Sequence, residues 1–138
     1  MKDWEKSFKS YAGSDVYSIN RRADSGEIER KAVARGLVFF KVDLSNVATK
    51  EDFLRVIAEA LKFPSYFGMN WDAFEECIND LEWSPAPGYV IVLDSAEAFA
   101  RKAPGDFKMA GNIFKAAAKG WKARKKPFYV FLVNKQPD

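Results

Sequence analysis

The 138-residue chain contains no histidine, so the commonest general base and the commonest transition-metal ligand are both missing. A single cysteine, Cys77, forbids an internal disulfide and leaves no cysteine set for a structural zinc site. Nowhere do roughly 20 apolar residues run together, the length a helix needs to cross a bilayer. The opening Met1-Lys2-Asp3-Trp4-Glu5-Lys6 lacks the apolar stretch of a secretory leader. These absences predict a water-soluble, cytoplasmic protein that is not an enzyme, holds no metal or cofactor and takes no small-molecule substrate. Positive charge is also missing from one long stretch, since Phe63 to Ala100 has neither Lys nor Arg.

That stretch carries seven acidic residues (Asp72, Glu75, Glu76, Asp80, Glu82, Asp94, Glu97), although the whole chain has a net charge of +3. Ten of the 22 Lys and Arg fall after residue 100. A near-neutral total therefore hides a charge dipole, and concentrated charge of one sign steers a partner of the other. An apolar content of 48%, with 12 Phe and 4 Trp, is enough for one core at this length, so a single domain over residues 1–138 is expected.

Strand and helix signals alternate along the chain. Residues 1–15 show no sustained period and read as a loosely held extension; within residues 1–36, Val16 to Ile19 reads as an edge strand and Ser25 to Arg35 as a short helix closed by Gly36. The core then occupies 37–133. Leu37 to Val42 is a β-branched and aromatic run, Tyr89 to Leu93 is a continuous apolar run suited to burial on both faces of a parallel sheet, and Phe128 to Val133 is a last strand. Thr49 and Asp52 open a helix that runs to about Lys62 before Pro64, and Asn70 caps a second from Trp71 to Glu82. Further helices span Ala96 to Ala100 and about Phe107 to Trp121. The pattern predicts an α/β fold: a small, mainly parallel sheet of three core strands with an extra edge strand, flanked by helices.

At about 100° per residue, Phe74, Cys77, Ile78 and Leu81 share one side of the second helix, while Asp72, Glu75, Glu76, Asn79 and Asp80 share the other. Asp72, Glu76 and Asp80 follow one another at four-residue spacing, each like-charge pair costing roughly 0.2–0.5 kcal/mol. No Lys or Arg relieves them, and the helix dipole opposes the carboxylates near the C-terminal end. Carboxylates kept together against helix stability point to a partner that brings positive charge. The preceding loop, Pro64-Ser65-Tyr66-Phe67-Gly68-Met69-Asn70-Trp71, adds aromatics beside those charges, with Phe67 assigned to the interior and Gly68 to a sharp turn. The candidate partner-binding residues are Tyr66, Gly68, Asn70, Trp71, Asp72, Glu75, Glu76, Asn79 and Asp80.

The run from Phe63 to Ile78 resembles the signature of the barstar family, intracellular inhibitors of barnase-type ribonucleases: Pro, an aromatic pair, Gly, Asn, an apolar residue, Asp-Ala, then an acidic helix. The resemblance extends more weakly through Tyr89–Leu93 to Phe114 and Phe128–Val133. It implies a bacterial-type inhibitor whose loop and acidic helix plug the active site of a basic extracellular-type or toxin ribonuclease, carboxylates standing where RNA phosphates would. Matched position by position, it carries contact roles to Tyr66, Asn70, Asp72 and Glu76, with Glu76 as the central phosphate mimic. Glu76 is longer than the Asp of the best-known member, Glu75 stands where that protein has Trp, and Ala116 replaces an acidic contact from a later helix. These departures argue against barnase itself as the target.

Two other readings compete. The acidic face could serve a different basic protein without inhibiting it, as a plain protein-binding module. Alternatively, Lys115, Lys119, Lys122, Arg124, Lys125 and Lys126, with Trp121 among them, could track a nucleic-acid backbone. The helix dipole accounts for basic residues at a helix C-terminus without any ligand, so nucleic acid is the weaker of the two.

Overall fold

The computed structural model describes residues 8, 10–19, 23–64 and 67–134, positions 23 and 24 by backbone only. Four strands, β1 (Asp15–Ile19), β2 (Val38–Asp43), β3 (Tyr89–Asp94) and β4 (Phe128–Val133), form one wholly parallel sheet in the order β1-β4-β3-β2. The three expected core strands are present, and the expected edge strand lies beside β4 with Val16 opposite Val130.

Among the described residues five α-helices connect and cover the strands: α1 (Ala23–Ala34), α2 (Lys50–Leu61), α3 (Trp71–Asp80), α4 (Ala96–Lys102) and α5 (Pro104–Ala123). Parallel strands need crossovers, and these supply them. Gly36 closes α1 at φ +74°, with Leu37 N–H bonded to Ala32 O at 3.0 Å, because the residue after such a helix end must turn left-handed. Thr49 caps α2 by accepting the Asp52 N–H at 3.1 Å, and the Asp52 carboxylate accepts from Ala48 N–H at 3.1 Å. α5 begins earlier than periodicity predicts, at Pro104, whose missing N–H is harmless in a first turn.

The sheet is buried on both faces, as the all-buried pattern of Tyr89 to Leu93 shows. One core packs α2, α3, α4 and α5 against it through Phe53, Phe74, Phe99, Phe114 and Trp121. The other packs Ile28 and Ala32 of α1, together with Phe8, on Val90, Val92, Tyr129 and Phe131. The expectation that residues 1–15 are loosely held fails at Phe8 and Ser14, which are buried, whereas Ser10, Tyr11, Ala12 and Asp15 are exposed. Phe8 is 1% exposed, its ring edge-on to Tyr129 at 4.7 Å, and the Arg35 guanidinium donates to its carbonyl. The unoccupied apolar face of the sheet, invisible in local sequence, is what draws this segment in.

Candidate functional site

The loop leading to α3 is fixed from both ends. α2 stops with Lys62 left-handed and Phe63 N–H bonded to Ala58 O at 2.9 Å. Phe63 then stacks edge-on against Phe67 (5.1 Å) and Trp83 (5.6 Å), while Trp83 Nε1 donates to Leu61 O at 3.0 Å. Phe67 is half-buried on this cluster, so its assignment to the interior holds only in part. The sharp turn falls to Met69 (φ +54°) and not to Gly68, whose φ is not positive. Gly68 matters through its missing side chain, because a Cβ there would stand 3.3 Å from Asn70 Nδ2.

Asn70 is the N-cap of α3. Its Oδ1 accepts the Ala73 N–H at 2.8 Å and its Nδ2 donates to Gly68 O at 3.3 Å, joining loop to helix. Phe74, Cys77, Ile78 and Leu81 are buried, as the helical spacing predicts. The helix ends at Asp80, two residues short of expectation, because Leu81 turns left-handed (φ +49°) while its side chain is fully buried. From α5, Trp121 Nε1 donates to Ile78 O at 3.0 Å and Arg124 Nη2 to Asn79 O at 2.9 Å. Both satisfy carbonyls that a helix C-terminus leaves free, and the guanidinium opposes the negative end of the dipole.

On this clamped helix Asp72, Glu75, Glu76 and Asp80 are all exposed, and none forms an ion pair with a described residue. Their field is felt at Cys77. Burial pushes its thiol pKa up, and the charges of Asp80 and Glu76 push it further. Asn79 is half-buried instead of projecting, its Nδ2 donating to Glu75 O at 2.8 Å. Trp71 is also half-buried, 6.0 Å from Phe53 and 6.1 Å from Phe74, and borders a shallow groove shared with Lys50, Met109 and Ile113. Thus Gly68, Asn70, Trp71 and the four carboxylates share one continuous surface, whereas Tyr66 lies outside the described residues.

Sequence reasoning missed Arg124 as a brace for α3 and the exposed Met69 (43%) and Met109 (44%) as apolar additions to the surface. The basic run is partly taken up inside the fold. Trp121 is 3% exposed, so its ring is closed to a nucleobase, and Arg124 lies over it at 3.8 Å. Lys126 Nζ donates to Ala86 O at 3.4 Å. Lys115, Lys119 and Lys122 remain exposed beside Ser14 and Asp15. Among the described residues no group of three or more His, Cys, Asp or Glu is placed to hold a metal ion, and no helix is long and apolar enough to cross a membrane.

Fold and site together define an α/β protein that presents an acidic helix, without ion pairs among the described residues, capped and braced at both ends. The family model described as Barstar (barnase inhibitor) matches residues 37–133. This chain belongs to that family, the match spanning β2 to β4 and all of the surface just described. No curated protein matches it.

Proposed function

We propose that the protein binds and blocks a basic, barnase-type ribonuclease by placing the α3 carboxylates where RNA phosphates would lie. The observation that carries this is a set of four exposed carboxylates, none ion-paired among the described residues, on a helix braced at both ends, in a chain of the barnase-inhibitor family. Bracing favours binding because little backbone freedom of the helix is left to lose on contact. Glu76, midway between Asp72 and Asp80, is the central mimic; Asp72, Glu75 and Asp80 extend the negative field, Trp71, Asn70 and Gly68 shape the rim, and Tyr66 is kept as a contact on the family resemblance alone. Asn79 acts by holding the end of α3. The mechanism involves no bond-making and no cofactor.

The test is inhibition of RNA cleavage. Basic barnase-type nucleases from the source organism are assayed on a fluorogenic RNA with increasing protein. Stoichiometric inhibition is expected, with association slowing at least tenfold between about 50 and 500 mM salt while dissociation changes little. Binding without loss of cleavage would refute inhibition, and a salt-independent association rate would refute electrostatic steering.

A further inference from the structure

We propose that the face formed by α3 and α5 is self-complementary and joins two copies of this chain in an isologous dimer. The proposal concerns the chain alone and does not rest on its having a nuclease target.

The geometry begins with how the two helices lie together. Asp72 and Glu75 share a groove with Met109 and Ile113 at one end, and Asn79 Oδ1 stands 3.7 Å from the position of a Cβ on Gly120 at the other. Residue numbers therefore rise in the same direction on both helices. Counting back from Asn79 and Gly120 brings Asp72 level with Ile113, its observed neighbour, and Glu76 level with Ala117.

Around α5, at about 100° per residue, the row touching α3 (Met109, Ile113, Gly120) gives way first to Ala116 and Asn112 and then to Lys119, Lys108 and Lys115. Ala116, Asn112 and these three lysines are exposed, and none of the lysines makes an ion pair with a described residue. The surface thus reads across as an acidic ridge bordered by Lys50, a seam of Ala116, Asn112 and the exposed Met109, and a basic ridge whose Lys115 and Lys119 lie beside Asp15. The two ridges run in step: Lys115 and Lys119 bracket the level of Glu76, and Lys108 and Lys115 that of Asp72.

A two-fold axis laid along the seam exchanges the sides and keeps the levels. The acidic ridge of one copy then meets the basic ridge of the other, while residues on the axis meet themselves, as symmetry requires of an isologous contact. Met109 and Ala116 pair at the centre with charge at the rim, the usual arrangement of an interface. A two-fold axis perpendicular to the helices would set acid on acid, so only one dimer fits. Charge complementarity matched level by level makes a second copy the occupant.

Sedimentation velocity on the full chain, from about 5 to about 500 µM, tests this. A reversible dimer is expected at about 20 mM salt, weakening at least tenfold at about 500 mM. Lys115→Glu with Lys119→Glu should weaken it at least tenfold, and adding Asp72→Lys with Glu76→Lys to the same chain should restore it to within about threefold. Under mild oxidation Ala116→Cys should give a covalent dimer, whereas Cys at the exposed Asn46, off this face, should not. Circular dichroism confirms that each variant is folded. A monomer throughout at low salt overturns the proposal, as does a dimer indifferent to salt and charge reversal, or Ala116→Cys crosslinking no faster than Asn46→Cys.

Discussion

Replacing Glu76 by Gln should change stability and binding in opposite directions, and the stability change can be worked from the structure without a partner. Glu76 is exposed, has no ion pair among the described residues, and stands four residues from both Asp72 and Asp80. Gln has nearly the helix propensity of Glu and the same shape, so the substitution removes two like-charge repulsions and little else. At roughly 0.2–0.5 kcal/mol each these give a gain of about 0.4–1 kcal/mol. For a chain of this size that is a rise in Tm of about 1–5 °C. Near 1 M salt, where the Debye length falls to about 3 Å, most of the gain should vanish. Thermal and urea unfolding at two salt concentrations measure it. Against a nuclease target of the kind proposed above, the same variant should lose about 2–5 kcal/mol, because the partner's cation would be left buried and unpaired; barnase–barstar is a measured example of strong coupling between such charges. Glu97→Gln, on α4, should bind within about 0.5 kcal/mol of the parent. A destabilised Glu76→Gln would mean that its carboxylate serves the fold, and equal binding by both variants would end the phosphate-mimic assignment.

Cys77 should react with thiol reagents far more slowly in the native protein than after unfolding. Its raised pKa and that of Tyr89, raised by burial first, mean that both groups lend full stability below their unfolded pKa values. Urea midpoints should therefore fall as pH climbs past about 8.5. Asn70→Ala should cost about 1 kcal/mol by uncapping α3, and Asn70→Asp should keep most of it, as denaturant titration will show. Phe8→Ala should cost about 3 kcal/mol or more in the same measurement, a loss below about 1 kcal/mol being incompatible with its packing on Tyr129 and Phe131.

What was legible in the sequence was whatever depends on near neighbours. The Asn70 cap, the buried side of α3, the doubly buried β3 and the edge strand at Val16–Ile19 all follow from spacing and residue type within one segment. The misreadings involve distant contacts or local geometry overridden by packing. Leu81 and Met69 adopt left-handed conformations where a Gly or a later stop was expected; the Leu81 side chain is anchored in the core. The bracing roles of Arg124, Lys126 and Trp121 were hidden in the sequence, which offered them as a basic helix end or, less well, a nucleic-acid patch, because their partners (Asn79, Ala86 and Ile78) lie some 40 residues or more away in the chain. Phe8 carries no periodic signal at all, and only the uncovered face of the sheet explains its burial. In the candidate site the carboxylates are where the helical wheel puts them, whereas Asn79 turned out to be a brace because its amide bonds the preceding turn.

The pairing of β1 with β4 also governs how the protein comes into being. Ser14 Oγ accepts from Phe128 N–H across 114 positions of chain, so β1 must wait for a strand made more than a hundred residues later before its edge is filled. Until then β1 has no partner strand, and α1 and Phe8 lack half of the surface that buries them, the half supplied by Tyr129, Phe131 and Val133. Contacts of such long sequence separation make for slow folding, and an unpaired strand edge in the waiting chain invites association with other chains. The same β4 follows directly on α5, whose Trp121 and Arg124 hold the end of α3. Completion of the sheet and completion of the acidic surface are thus nearly simultaneous, and a chain under synthesis gains a braced acidic face only once the β4 segment has been made.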